Sequence, residues 1–100
     1  MKPHGNSHKN KDVHHLYEIY DIELQEVYKY GICGEPLYSD GTSPRANRQI
    51  RAFNRVVGYH RFTAKVLLTD ISGRKKAEET EEYHVQHFER QHGRRPRGNP

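Results

Sequence analysis

Four acids crowd into positions 78–82: Glu78, Glu79, Glu81 and Glu82. In a helix each residue turns about 100° from the last. Taking Ala77 as zero, Phe88 falls at about 20°, Glu81 at about 40° and Val85 at about 80°. Glu81 therefore lies within the apolar stripe. Glu78 flanks that stripe, whereas Glu79 and Glu82 point away as solvated charges. An inward carboxylate is costly unless it is paired or bound to a metal. Its two outlets are an ion pair with a buried Lys or Arg and coordination of a divalent cation. A carboxylate oxygen is a hard ligand suited to Mg2+ or Mn2+, and one carboxylate with waters and a phosphate oxygen is an ordinary Mg2+ site.

Two tyrosine-rich segments lie upstream, Leu16-Tyr17-Glu18-Ile19-Tyr20 and Val27-Tyr28-Lys29-Tyr30-Gly31-Ile32. As a strand, the second puts Lys29 and Gly31 on one face and Tyr28, Tyr30 and Ile32 on the other. A glycine inside a strand marks a close approach to the backbone. A lysine among tyrosines can modify a neighbouring phenol, or can simply snorkel from a half-exposed strand. Arginines form a third group. Arg48, Arg51 and Arg55 fall on the outer face of an upstream helical segment, as a phosphate-tracking row or a solvated face. Arg45 falls nearer the apolar boundary, where it can reach a cleft and stabilise charge developing on a phosphate, or pair with Asp40.

The elements that must position these groups follow from pattern. Val13 to about Ile22 and Val27–Cys33 read as strands joined by a short hairpin connection. Ser43-Pro44 is a helix start, Ala46, Ile50, Phe53 and Val57 mark its buried face, and Gly58 stops it. Arg61–Thr69 is a third strand, in which Leu67 interrupts the alternation and implies burial on both faces. The second helix opens at Ser72 or Gly73, runs to about His92 and stops at Gly93. The order is β-β-α-β-α: an α+β fold with a small mixed three-stranded sheet flanked by helices. Residues 1–12 read as a flexible basic arm or linker and 13–100 as one domain.

Composition narrows the partners. Seventeen Lys and Arg against 13 Asp and Glu leave a net charge of +4, which favours a polyanion. Arginine dominates the basic residues beyond Gly41, and its planar fork suits phosphate. Cys33 is the single cysteine, so neither an intrachain disulfide nor a thiolate zinc site can form. His4, His8, His14 and His15 lie in or near the polar arm, and no HExxH pattern points to zinc. No stretch has the length of a membrane span, and no signal-peptide core is present.

Taken in order, these segments resemble the GIY-YIG nucleases. Leu16-Tyr17 stands at the first motif, with His15 in place of its glycine. Tyr28-Lys29-Tyr30-Gly31-Ile32 stands at the second, with Lys29 replacing a motif tyrosine. Arg45-Ala46 matches the helix arginine, Ala77 to Glu81 the segment ending in the metal-binding glutamate, and Pro96-Arg97-Gly98-Asn99 a C-terminal Pro-x-x-Asn. The resemblance implies metal-dependent hydrolysis of phosphodiester bonds in DNA, with RNA as the other possible substrate. Glu81 would hold Mg2+ or Mn2+. Tyr17 would activate or orient water, Arg45 stabilise the phosphate and Asn99 orient the site or bind phosphate. Lys29, Gly31 and either Tyr30 or Tyr28 would complete the catalytic group. Nucleic acid would lie along Arg48, Arg51, Arg55, Arg94, Arg95 and Arg97.

The chain also resembles toxin domains at the C-termini of bacterial polymorphic and contact-dependent toxins. That implies export, action in a target-cell cytoplasm and a cognate acidic immunity protein, with no small-molecule cofactor. Two other readings stay open: a metal-independent ribonuclease toxin using His14, His15 or His60 as base, and a non-catalytic nucleic-acid-binding module.

Overall fold

The computed structural model describes residues 13–100; the arm expected over 1–12, with His4 and His8, lies outside the described residues. The elements are β1 (Val13–Asp21), β2 (Glu26–Cys33), α1 (Pro44–Val57), β3 (Phe62–Ser72) and α2 (Arg74–His92). Class and element order are as expected from the sequence. The sheet order is β2-β1-β3, and both pairings are antiparallel, so the sheet is not mixed. The reason is the route of the chain: β3 returns from α1 alongside β1, in the opposite direction.

The central strand β1 is buried on both faces. Tyr17 and Ile19 pack with Cys33, Ala46 and Phe62, and Ile50, Phe53 and Val57 of α1 lie against this group. Leu16 alternates to the other face and packs with Ile32, Ile71 and Ala77 of α2. The two helices therefore cover opposite faces, and each face of β1 has a layer to pack against. Leu67 is not a two-face residue. Leu16 pairs with Leu68 and Tyr17 with Val66, so Leu67 is the extra residue of a bulge, which is what breaks the alternation.

Local chemistry fixes the element ends. Ser43 caps α1 by accepting the Ala46 N–H at 3.3 Å, with Pro44 at the first helical position. Gly58 and Gly93 stop the helices in the left-handed region, at φ 85° and 74°, donating to Asn54 and Glu89 carbonyls. Such φ values favour glycine. At the β1–β2 turn the Asp21 carboxylate accepts the N–H groups of Glu23 and Leu24 at 3.0 and 3.2 Å. Arg61 grips the same carboxylate with Nε and Nη2 at 3.0 and 2.8 Å. Among the described residues no helix is long and apolar enough to cross a membrane.

Candidate active site

The second tyrosine segment contains the feature that builds the site. Ile19 pairs with Lys29 but Tyr20 pairs with Val27, leaving Tyr28 as a bulged residue. The bulge turns Tyr28 away from Tyr30. Tyr28 packs edge-on against Phe53 and Phe62 on the α1 side, whereas Tyr30 packs beside Leu16 and Ile32 and faces His84 on the α2 side. The strict alternation expected from the sequence, with both tyrosines on one face, fails here for that reason.

Beyond the bulge, Gly31 stands opposite Tyr17. The Tyr17 ring occupies the space that a side chain would need: a Cβ on Gly31 would lie 2.8 Å from Tyr17 Cε1 and closer still to Cζ and Oη. Any larger residue must displace the phenol. The ring is almost fully buried, and its hydroxyl donates to Gln49 Oε1 at 2.9 Å. Burial pushes the phenol up to about 12, against the opposing pull of Arg45. Tyr17 is therefore a neutral donor at physiological pH, held by α1 and unsuited to act unaided as a base.

Tyr17, Lys29 and Gly31 line a cleft of about 240 Å³ with Arg45 and Gln49 of α1 and Arg74, Glu78 and Glu81 of α2. The structure thus brings together residues separated by more than 60 positions. Arg45 is anchored by Nη1 donating to the Ile32 carbonyl at 2.9 Å; Asp40 binds Thr42 instead. His15 supports this end of α1, with Nε2 2.7 Å from the capping Ser43 Oγ. Burial and the nearby Arg45 charge lower the His15 pKa, which favours the neutral ring.

Glu81 is half-buried, and among the described residues its carboxylate makes no hydrogen bond and no ion pair. Burial raises its pKa above 4.5; Lys29 and Arg74 act in the other direction, while Glu78 and Glu82 reinforce the rise. Of the two outlets for an inward carboxylate, the direct ion pair is absent among these residues. The neighbouring acids sort as follows. Glu79 is exposed as expected. Glu82 is not merely solvated, because Arg95 Nη1 and Nη2 grip its two oxygens at 3.1 and 3.2 Å. Glu78 lies 4.0 Å from Arg74 Nε.

The remaining sequence candidates divide. Tyr30 is outside the cleft. Asn99 is also outside it and clamps the Tyr30 backbone: Oδ1 accepts the N–H at 2.8 Å and Nδ2 donates to the carbonyl at 2.9 Å. Arg48 is paired with Glu35 at 2.6 Å and Arg94 with Glu26 at 2.8 Å. Arg51, Arg55 and Arg97 are exposed. His14 and His15 are buried in β1 rather than placed in an arm. Gln49 and Arg74 belong to the cleft but escaped sequence reasoning. Gln49 sits one helical turn after Arg45, the only signal that could have pointed to it.

Among the described residues no three His, Cys, Asp or Glu side chains converge to hold a metal ion. The cleft instead offers one open hard donor among three cations. That composition fits a hydrated divalent cation shared with a phosphate, in the manner of Mg2+. Comparisons with curated proteins and with solved structures return no match. A family model described as URI fold toxin 2 matches residues 7–93. With the β-β-α-β-α fold and its polar cleft in place, this chain belongs to the URI fold toxin 2 family.

Proposed function

We propose that the cleft hydrolyses phosphodiester bonds of DNA in the manner of the GIY-YIG nucleases, with Mg2+ or Mn2+ held by Glu81. The observation that carries this reading is the gathering of Tyr17, Arg45 and Glu81 in one cleft, with the Glu81 carboxylate left open. A bound divalent cation would polarise the phosphate and make water a better nucleophile. The chain's own residues supply the rest. Arg45 spends one N–H on Ile32 and keeps others for a phosphate oxygen. Lys29 and Arg74 add positive charge on the β2 and α2 sides of the cleft. Tyr17, whose one hydroxyl hydrogen goes to Gln49, presents its oxygen as an acceptor that would orient a water in the cleft. Arg51, Arg55 and Arg97 remain as the cations that would track the nucleic-acid backbone.

As a toxin domain, the protein would be exported by its producer, act in the cytoplasm of a target cell and be neutralised by a cognate immunity protein. The basic cleft matches an acidic one. The ribonuclease reading is weaker because none of its bases lines the cleft: His14 and His15 are buried, His15 is bonded to Ser43, and His60 is exposed elsewhere.

Incubating the protein with plasmid and with total RNA, each with Mg2+ or with EDTA, tests the proposal. Nicking of plasmid that needs the metal is expected, and Glu81→Ala should abolish it while the domain stays folded. Normal cutting by that variant would remove Glu81 from the mechanism, RNA cleavage persisting in EDTA would establish the ribonuclease, and salt-dependent binding without cleavage would leave a binding module.

A further inference from the structure

Arg94 and Arg95 belong to a basic run whose composition marks it for phosphate. We propose instead that residues 94–99 form a latch that fixes β2 against α2, with Arg95 as its positioning residue; the proposal rests on the reading of the cleft given above. These residues lie beyond the segment matched by the family model, 7–93.

The latch is built on the outer edge of β2. The Gly98 N–H donates to the Tyr28 carbonyl at 2.8 Å, and the Asn99 amide takes both backbone groups of Tyr30. A primary amide presents one acceptor and a donor beside it, as a neighbouring strand would, so the segment stands in for a short fourth strand. The approach requires glycine: a Cβ on Gly98 would lie 2.5 Å from Lys29 Cβ and 2.8 Å from Tyr28 Cε2. Pro96 is fully buried.

Arg95 carries this edge across to the helix. Its Nη atoms bind both Glu82 oxygens and its Nε donates to the Asn99 carbonyl at 2.9 Å. One guanidinium thus joins the tail to the residue next to Glu81. Arg94 repeats the connection at the other end, binding Glu26 at the start of β2 and lying 5.7 Å over the Phe88 ring of α2. β2 holds Lys29 and Gly31 and α2 holds Glu81, so the latch sets the distance between the two walls of the cleft. Misplacement of about 1 Å at such a site costs up to about 100-fold in rate. The fork geometry matters as well as the charge, because the single nitrogen of lysine cannot reproduce contacts made from Nε, Nη1 and Nη2.

The test compares wild type with Arg95→Ala, Arg95→Lys, Glu82→Gln and, as an exposed tail cation that makes none of the latch contacts, Arg97→Ala. It reads kcat and KM on DNA, the salt dependence of DNA binding and the exchange rate of the Tyr30 amide. Arg95→Ala and Glu82→Gln should each lower kcat about tenfold, speed Tyr30 exchange at least about tenfold and leave KM and the salt slope nearly unchanged. Arg95→Lys should restore little, and Arg97→Ala should reduce the salt slope with normal exchange. The latch is overturned if Arg95→Ala acts through KM and lowers the salt slope by about one while Glu82→Gln leaves kcat and exchange untouched. Should Arg95→Ala fail to fold, the isosteric Glu82→Gln decides the matter. If wild type cleaves nothing under any metal, the reading of the cleft falls. Tyr30 exchange then still judges the latch: faster in both variants supports it, unchanged overturns it.

Discussion

Asp21 and Glu81 are both carboxylates withdrawn from water, and the fold treats them in opposite ways. Asp21 is fully buried, and four N–H groups converge on it, two from the turn backbone and two from Arg61. Glu81 is half-buried and receives none among the described residues. Their ionisation follows. The Arg61 hydrogen bonds hold the Asp21 carboxyl below its ordinary 3.8, whereas burial holds Glu81 above its ordinary 4.5. A charge needed only for architecture is given its full complement of donors. A half-buried charge given no hydrogen bonds is costly to keep, and on the proposed reading it is left open for the metal.

The contrast breaks most sharply at Glu81. Glu81→Gln should lower metal-dependent plasmid cleavage by about 10³-fold, yet its melting temperature in EDTA should equal or exceed that of wild type. A variant melting many degrees lower would make Glu81 an architectural residue like Asp21. The reciprocal change, Asp21→Ala, should destabilise the domain by about 2–4 kcal/mol in urea, because the turn N–H groups lose their acceptor and Arg61 keeps only Glu23, at 3.0 Å. Cleavage per folded molecule should survive it; a loss greater than the unfolded fraction would tie Asp21 to the site.

Acid sharpens the same comparison. The folded pKa of Asp21 is depressed, so its stabilisation is complete above the unfolded value of 3.8 and is lost as pH falls through the folded value. The urea midpoint should therefore drop on acidification from 3.8 down through the folded value, and Asp21→Asn should flatten the drop. An unchanged acid limb in the variant would refute the assignment. The smallest effect is expected at Gln49. Gln49→Ala should cost about 1 kcal/mol of stability and about tenfold in cleavage, as Tyr17 loses the acceptor that aims its hydroxyl. Cleavage at the normal rate would show that the Gly31 contact alone places the ring.

Much of this was legible in the chain. Ser43-Pro44, Gly58 and Gly93 marked helix ends because capping is local chemistry, and helical periodicity alone separated Glu81 from Glu79. Tyr17 and Gly31 were singled out as strand residues, although their interlock depends on a cross-strand register that no single segment encodes. The bulge at Tyr28 was not legible, because it arises from how two strands align. Arg95 and Arg94 looked like phosphate ligands because composition cannot show that Glu82 and Glu26 lie beside them once folded. Gln49 and Arg74 carried no unusual pattern, and only the meeting of both helices at β2 gave them a place in the cleft.

The segment that covers the edge of β2 has a consequence in time. Ribosomes deliver a chain from its N-terminus. Tyr17, Lys29 and Arg45 are therefore made early, while Gly98 and Asn99 follow all five elements. Until those residues emerge, β2 has a bare edge and nothing joins it to Glu82. On the proposed reading, the order of synthesis would keep the cleft unlatched until residues 94–99 have followed the five elements.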